Sequence, residues 1–179
     1  DLVEAVYIDG PRAVVAAFLA TCAVLWIAFR RYRDRFLTLA SLLVGILWMA
    51  GTMALLGMKL NFLNFIAFPI TFGNGVDYGV NLFRRILNER RASTLSGGAP
   101  ILRAVEETGG AVILCSLTTI IGYSVLNTSA NLAIQSFGVA MVISEVTCVL
   151  AAVMVLPAIV LLMIHRDAGA APRDDSEGR

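Results

Sequence analysis

Residues 62–83 read FLNFIAFPITFGNGVDYGVNLF. The stretch is long enough to cross a hydrocarbon layer, which takes about 20 helical residues. Yet its second half carries Asn74, Asp77, Tyr78 and Asn81. A carboxylate at membrane depth costs at least about 2.5–3.5 kcal/mol. Acyl chains offer it no hydrogen bond, so Asp77 is expected to face protein or water. Asn74, Asp77 and Asn81 recur three and four residues apart and share one helical face with Gly73. Tyr78 lies about 100° round the helix, able to reach a second one. Gly73, Gly75 and Gly79 leave room for close neighbours.

The rest of the chain surrounds this helix. Of 179 residues, 58% are hydrophobic and only 15% charged, where a soluble domain carries about 25% charged. The apolar residues come in membrane-length blocks. The expected class is all-α, a polytopic transmembrane helix bundle of five spans. A net charge of +1 gives no basic field for nucleic acid. Cys22, Cys115 and Cys148 fall inside apolar blocks without metal spacing and read as packing residues.

Residues 1–12 read as the end of an extracytoplasmic segment. No basic stretch precedes the first apolar block, which is therefore read as a span and not a cleaved signal. The spans are expected at 13–29, 36–56, 62–83, 110–126 and 132–164. Trp48 in the second sits too deep for an interfacial belt and is expected to pack. Pro69 should disturb the third span and Pro157 bend or end the fifth. Residues 99–108 form an amphipathic segment, with Ile101, Leu102 and Val105 opposite Arg103, Glu106 and Glu107. It suits a helix on the cytoplasmic membrane surface, or equally a soluble cap on the bundle. Residues 165–179 read as a disordered cytoplasmic tail. Five spans place twelve arginines on one side and only Arg12 and Lys59 on the other. The positive-inside rule then puts the amino end outside and the carboxyl end in the cytoplasm.

Depth decides which groups could reach Asp77. It lies 15 residues from the outer end of its span, about 22 Å in. Ser116, Thr118 and Thr119 come to that level from the cytoplasmic side. Glu145 lies 13 residues along the fifth span, about 20 Å in. Burial disfavours a charged carboxyl, and amide or hydroxyl donors favour it. A carboxyl balanced between the two can exchange a proton near neutral pH, as a proton-coupled transporter needs. Bland readings stand beside these. Asp77, Asn74 and Asn81 could be purely structural. Glu145 could simply bond to Ser144, Thr147 or another span. Ser116, Thr118 and Thr119 could bond only to their own helix backbone.

Phe62-Leu63-Asn64-Phe65, the run Gly73-Asn74-Gly75-Val76-Asp77-Tyr78-Gly79-Val80-Asn81 and Arg84-Arg85 together resemble the tenth span of the resistance-nodulation-division (RND) superfamily, in its MMPL-type lipid exporter branch. Ala104-Val105, Thr108-Gly109 and Leu117-Thr118-Thr119-Ile120-Ile121-Gly122-Tyr123 resemble that family's surface helix and eleventh span. Ser136-Phe137-Gly138 and Leu156-Pro157-Ala158 resemble the bounds of its twelfth.

The resemblance implies half of a twelve-span membrane domain, spans eight to twelve. The partner would be the N-terminal half of the same transporter. It further implies that Asp77 and Tyr78 form one of two Asp-Tyr pairs in a proton relay; helical spacing and depth, not the resemblance, add Asn74, Asn81, Ser116, Thr118, Thr119 and Glu145 as supporting polar groups. Glu145 matches nothing in the family pattern, so its place rests on burial alone. The implied function is proton-driven export of lipids or other hydrophobic substrates across a bacterial inner membrane. Protons are the coupling ion, with no cofactor, no metal and no enzymatic step. The alternative is a non-transporting relative, a sterol-sensing-type receptor or a protein-secretion helper. An intramembrane aspartyl protease would need two facing aspartates, and Asp77 is the only one in a span.

Overall fold

A computed structural model describes residues 2–58, 61–92 and 98–169. Among these the chain is helical, with α1 (Leu2–Ala28), α2 (Tyr32–Leu55), α3 (Phe62–Ala92), α4 (Ala99–Ser124), α5 (Leu132–Leu150) and α6 (Leu156–Gly169). A short 3-10 turn, Val125–Thr128, extends α4, and a π turn, Ala151–Val155, joins α5 to α6 without a break. Most of the expected tail, residues 170–179, lies outside the described residues, as do Lys59 and the loop residues 93–97.

Four segments are long and apolar enough to cross a membrane: Asp9–Ala28, Tyr32–Leu55, Ala99–Thr128 and Leu132–Ile164. The last has the expected bounds. The central helix α3 is long enough as well, but Asn64, Asn74, Asp77 and Asn81 dilute its apolar character. It packs against α1, α2, α4 and α5, which buries Asn64 and half-buries Asn74, while Asp77 and Asn81 stay exposed on one flank. The bundle's outward surface is apolar instead: Ile27, Leu47, Leu55, Leu114 and Leu162 are all exposed. This is the arrangement of a multi-pass membrane protein, with polar side chains such as Asn64, Thr71, Ser116, Ser144 and Glu145 buried inside.

Small residues bring the helices together behind α3. A side chain built at Gly75 would meet Leu42 and Cys148, and one at Gly79 would meet Thr38. Gly45 on α2 lies against the Cys148 backbone. Gly75 and Gly79 are four apart, the spacing that lets helix backbones approach. The turn after α2 uses Gly57 at φ +63°, with Gly57 N–H bonded to Ala54 and Met58 N–H to Met53. Those two bonds close a Schellman motif, which needs a left-handed residue and therefore favours glycine. At the α1–α2 turn Arg35 donates to the carbonyls of Phe29 and Trp26 and lies over the Trp26 ring. A cation there suits the negative end of α1.

Four differences from the sequence reading have physical causes. First, α1 starts at Leu2 and carries Pro11 within it, so the helix begins before the expected span. Second, residues 99–108 do not form a separate surface helix. They are the first turns of α4, which runs on through Gly109 and Gly110. A glycine costs only about 1 kcal/mol relative to alanine in a helix, too little to break one held by its neighbours. Third, Trp48 is 42% exposed and faces outward from the bundle. Fourth, Pro157 neither ends the helix nor stands alone as a bend. Proline cannot donate a backbone hydrogen bond, and the helix slips into a π turn just before it, with Leu156 N–H bonded to Ala151 O.

The Ala151 carbonyl also accepts from Ser41 Oγ of α2 at 2.8 Å. Removing that donor with Ser41→Ala should cost about 0.5–1.5 kcal/mol, read as a lower unfolding temperature in detergent.

Candidate functional site

The α3–α5 seam is a ladder of polar contacts. Both helices start on the same side and run parallel, so their polar positions come level. Starting from the N-terminal ends of both helices, Asn64 Nδ2 donates to Ser136 Oγ at 2.6 Å. Thr71 and Ser144 share a hydroxyl hydrogen bond at 2.6 Å. Glu145 then receives two donors, Asn74 Nδ2 on Oε1 at 2.8 Å and Tyr78 Oη on Oε2 at 2.7 Å. Glu145 is fully buried, at 0% exposure. Each carboxyl oxygen thus has one donor, which offsets part of the cost of removing it from water.

On the other flank of α3 an open cleft of about 780 Å³ runs between α3 and α4. Asn74, Asp77, Tyr78 and Asn81 line it from α3, with Arg84, Arg85 and Asn88 further along the helix toward its C-terminal end. From α4 come Thr108, Ala111, Val112, Cys115, Thr119 and Tyr123. Asp77 is exposed to this cleft, and its side chain makes no hydrogen bond among the described residues. At that end of the cleft Arg85 pairs with Glu89 at 2.8 Å and with Glu107, and Arg103 pairs with Glu107 at 3.1 Å. The Arg85–Glu107 pair ties α3 to α4 there, and the other two lie within α3 and within α4.

The decisive pattern is an acid on a central helix, open to a cleft and flanked by two amide side chains and a tyrosine. The MMPL family model matches residues 1–178. The chain belongs to the MMPL family. It is 38% identical over 69 residues to the hopanoid transporter HpnN of Burkholderia multivorans, a match covering 38% of this chain and 8% of that protein. It is 29% identical over 143 residues to a protein of Methanocaldococcus jannaschii named only as a membrane protein, covering 78% of this chain and 36% of the relative. The matched region is therefore a minor part of either relative's length.

In this MMPL chain the residues singled out by sequence divide into three groups. Asn74, Asp77, Tyr78, Asn81 and Thr119 meet at the cleft. Glu145 and Ser116 are buried behind it. Thr118 stays outside: it is exposed, and its hydroxyl donates to the Cys115 carbonyl one turn back. Thr119 also donates to that carbonyl, at 3.1 Å, so its hydroxyl is occupied by its own helix.

Sequence reasoning missed two features. One is the pairing of Tyr78 with Glu145. The other is the part that Arg84, Arg85 and Asn88 take in the cleft wall. Helical spacing carried a signal for the second, since Asn81, Arg84, Arg85 and Asn88 continue the face of Asp77 at intervals of three and four.

Tyr78→Phe should leave Glu145 Oε2 without its donor in a dry interior. The expected loss is about 1–3 kcal/mol, measured by thermal unfolding in detergent, with α-helical content unchanged.

Proposed function

We propose that this chain is the C-terminal membrane half of a proton-driven MMPL exporter of lipids or other hydrophobic substrates. The observation that carries the reading is the Asp77 carboxyl, exposed on the central helix in an open cleft between α3 and α4; on our reading it lies at membrane depth, and the cleft is left open for the other half of the bundle. A carboxyl so placed is costly unless it has a function. When Asp77 takes a proton, a charge disappears from the cleft wall and closer helix packing becomes favourable. When it releases the proton, the cleft must again hold water or donors. Alternation between those two packings is the coupling step. The N-terminal half of the same protein supplies the opposite wall of the cleft, and Asn74 and Asn81 flank the carboxyl as neutral amides.

The hopanoid transporter among the relatives supports a hydrophobic cargo, since hopanoids are lipids. The basic residues gathered at the cytoplasmic end of the cleft support an inner-membrane orientation with the amino end outside. The cargo is moved and not chemically changed, protons are the coupling ion, and no cofactor is required.

The test is transport by the complete protein in sealed lipid vesicles under an imposed pH gradient. Proton movement is followed with a pH-sensitive dye and lipid exit with a labelled hydrophobe. Exit that stops when a protonophore collapses the gradient supports the exporter. Gradient-independent lipid binding without proton movement would favour the non-transporting receptor reading.

A further inference from the structure

Asp77 and Glu145 lie on two sides of the same pair of side chains. Asn74 and Tyr78 both line the cleft that Asp77 faces, and both donate to Glu145 behind it. A single layer of side chains therefore separates a carboxyl open to the cleft from one that is fully buried. Among the described residues no arginine or lysine forms an ion pair with Glu145; their ion pairs with Glu89, Glu107 and Asp9 lie elsewhere. The titratable groups facing the buried site are the Tyr78 phenol from α3, the Cys115 thiol of α4 beside that phenol, and the Cys148 thiol on α5 itself.

We infer that Glu145 is a second proton-carrying carboxyl of the relay, loaded from the cleft through the Tyr78 hydroxyl. The inference rests on the proton-carrier reading of Asp77. The step balances. A proton donor in the cleft, water-borne or the protonated Asp77, adds a proton to the Tyr78 oxygen. Tyr78 passes its own hydroxyl proton along the existing 2.7 Å hydrogen bond to Glu145 Oε2. Glu145 goes from carboxylate to carboxylic acid, and the tyrosine ends as it began. Running in reverse returns the proton to the cleft. Asn74 holds the other oxygen throughout, so the carboxyl does not have to turn to be loaded or emptied. Glu145 is also one hydroxyl neighbour from the Thr71–Ser144 contact, so its charge state can be felt along the α3–α5 seam.

The discriminating variant is Glu145→Gln in the complete transporter. A glutamine can keep both contacts: its carbonyl accepts from Tyr78, and its amide donates to Asn74 once that amide turns over. It cannot carry the proton. Two readouts are needed, proton-coupled flux in vesicles and the carboxyl region of the pH-difference infrared spectrum, the second independent of transport. Expected is a fall in flux of about 100-fold or more, together with the loss of one protonated-carboxyl band. Glu145→Asp, which keeps a carboxyl on a shorter arm, should shift that band instead of removing it and restore part of the flux. It also serves if the glutamine variant fails to fold. Wild-type flux in Glu145→Gln would overturn the inference. So would lost flux with an unchanged spectrum, which would leave Glu145 a positioning residue. Full flux in Asp77→Asn would instead sink the parent reading, while the Glu145 band still reports on this one.

Discussion

Asp77→Asn should reduce proton-coupled transport by at least about 100-fold, the lower range of what a positioned proton-transfer group contributes. The fold should be nearly untouched. The Asp77 side chain makes no hydrogen bond among the described residues and stands exposed at the cleft. Its replacement by an isosteric amide removes no packing contact. Substitutions of that kind fall within about 0.5 kcal/mol of neutral. The separation is the informative part. Transport by reconstituted protein should vanish while the unfolding temperature in detergent stays within a degree or two of wild type, given about 0.5 kcal/mol. A large stability loss with partial transport would make Asp77 a structural residue.

The largest stability effect is expected two residues away on the opposite face. Gly75→Leu should destabilise the bundle by about 3 kcal/mol, the upper part of the usual overpacking range. Even a single added carbon at Gly75 would lie 2.5 Å from Leu42 Cδ1 and 3.1 Å from Cys148 Sγ. One of those neighbours is the tip of a flexible side chain and could turn away. A leucine needs room from both α2 and α5 at once, and their backbones would have to part. Gly73→Leu is the matched control. Nothing lies within 4 Å of a carbon added there, and leucine is the better helix former by about 0.8 kcal/mol. Thermal unfolding of the two variants in one detergent should therefore give a marked loss at residue 75 and none at residue 73.

Much of this arrangement was legible in the residues. The apolar blocks located the helices. Short connections between consecutive helices make them alternate in direction, which makes the third and fifth parallel. Equal depths for Asp77 and Glu145 followed from counting along those parallel helices, and the α3–α5 contacts fall in that register. The polar line of Asn74, Asp77 and Asn81 came from helical spacing alone.

What could not be read was rotation between helices. Spacing gives the angle of Tyr78 on its own helix but not which face of α5 meets it. That depends on how closely Gly75 and Gly79 let α2 and α5 approach. Thr118 and Thr119 are adjacent in sequence, and only the second reaches the cleft, for the same reason. Gly109-Gly110 looked like a boundary because glycine weakens a helix, yet the Arg85–Glu107 pair holds α4 to α3 on the near side of it. Trp48 looked internal because of its depth, but depth in a span does not say which way a side chain points.

The central claim is that protein and water, not acyl chains, surround the Asp77 carboxyl. It is tested most directly by a structure of the complete transporter in a lipid nanodisc, resolved well enough to place side chains and bound lipid. Expected is a second set of helices closing the cleft, with Asp77 facing their polar groups or ordered water. Acyl-chain density packed against the Asp77 carboxyl would contradict it.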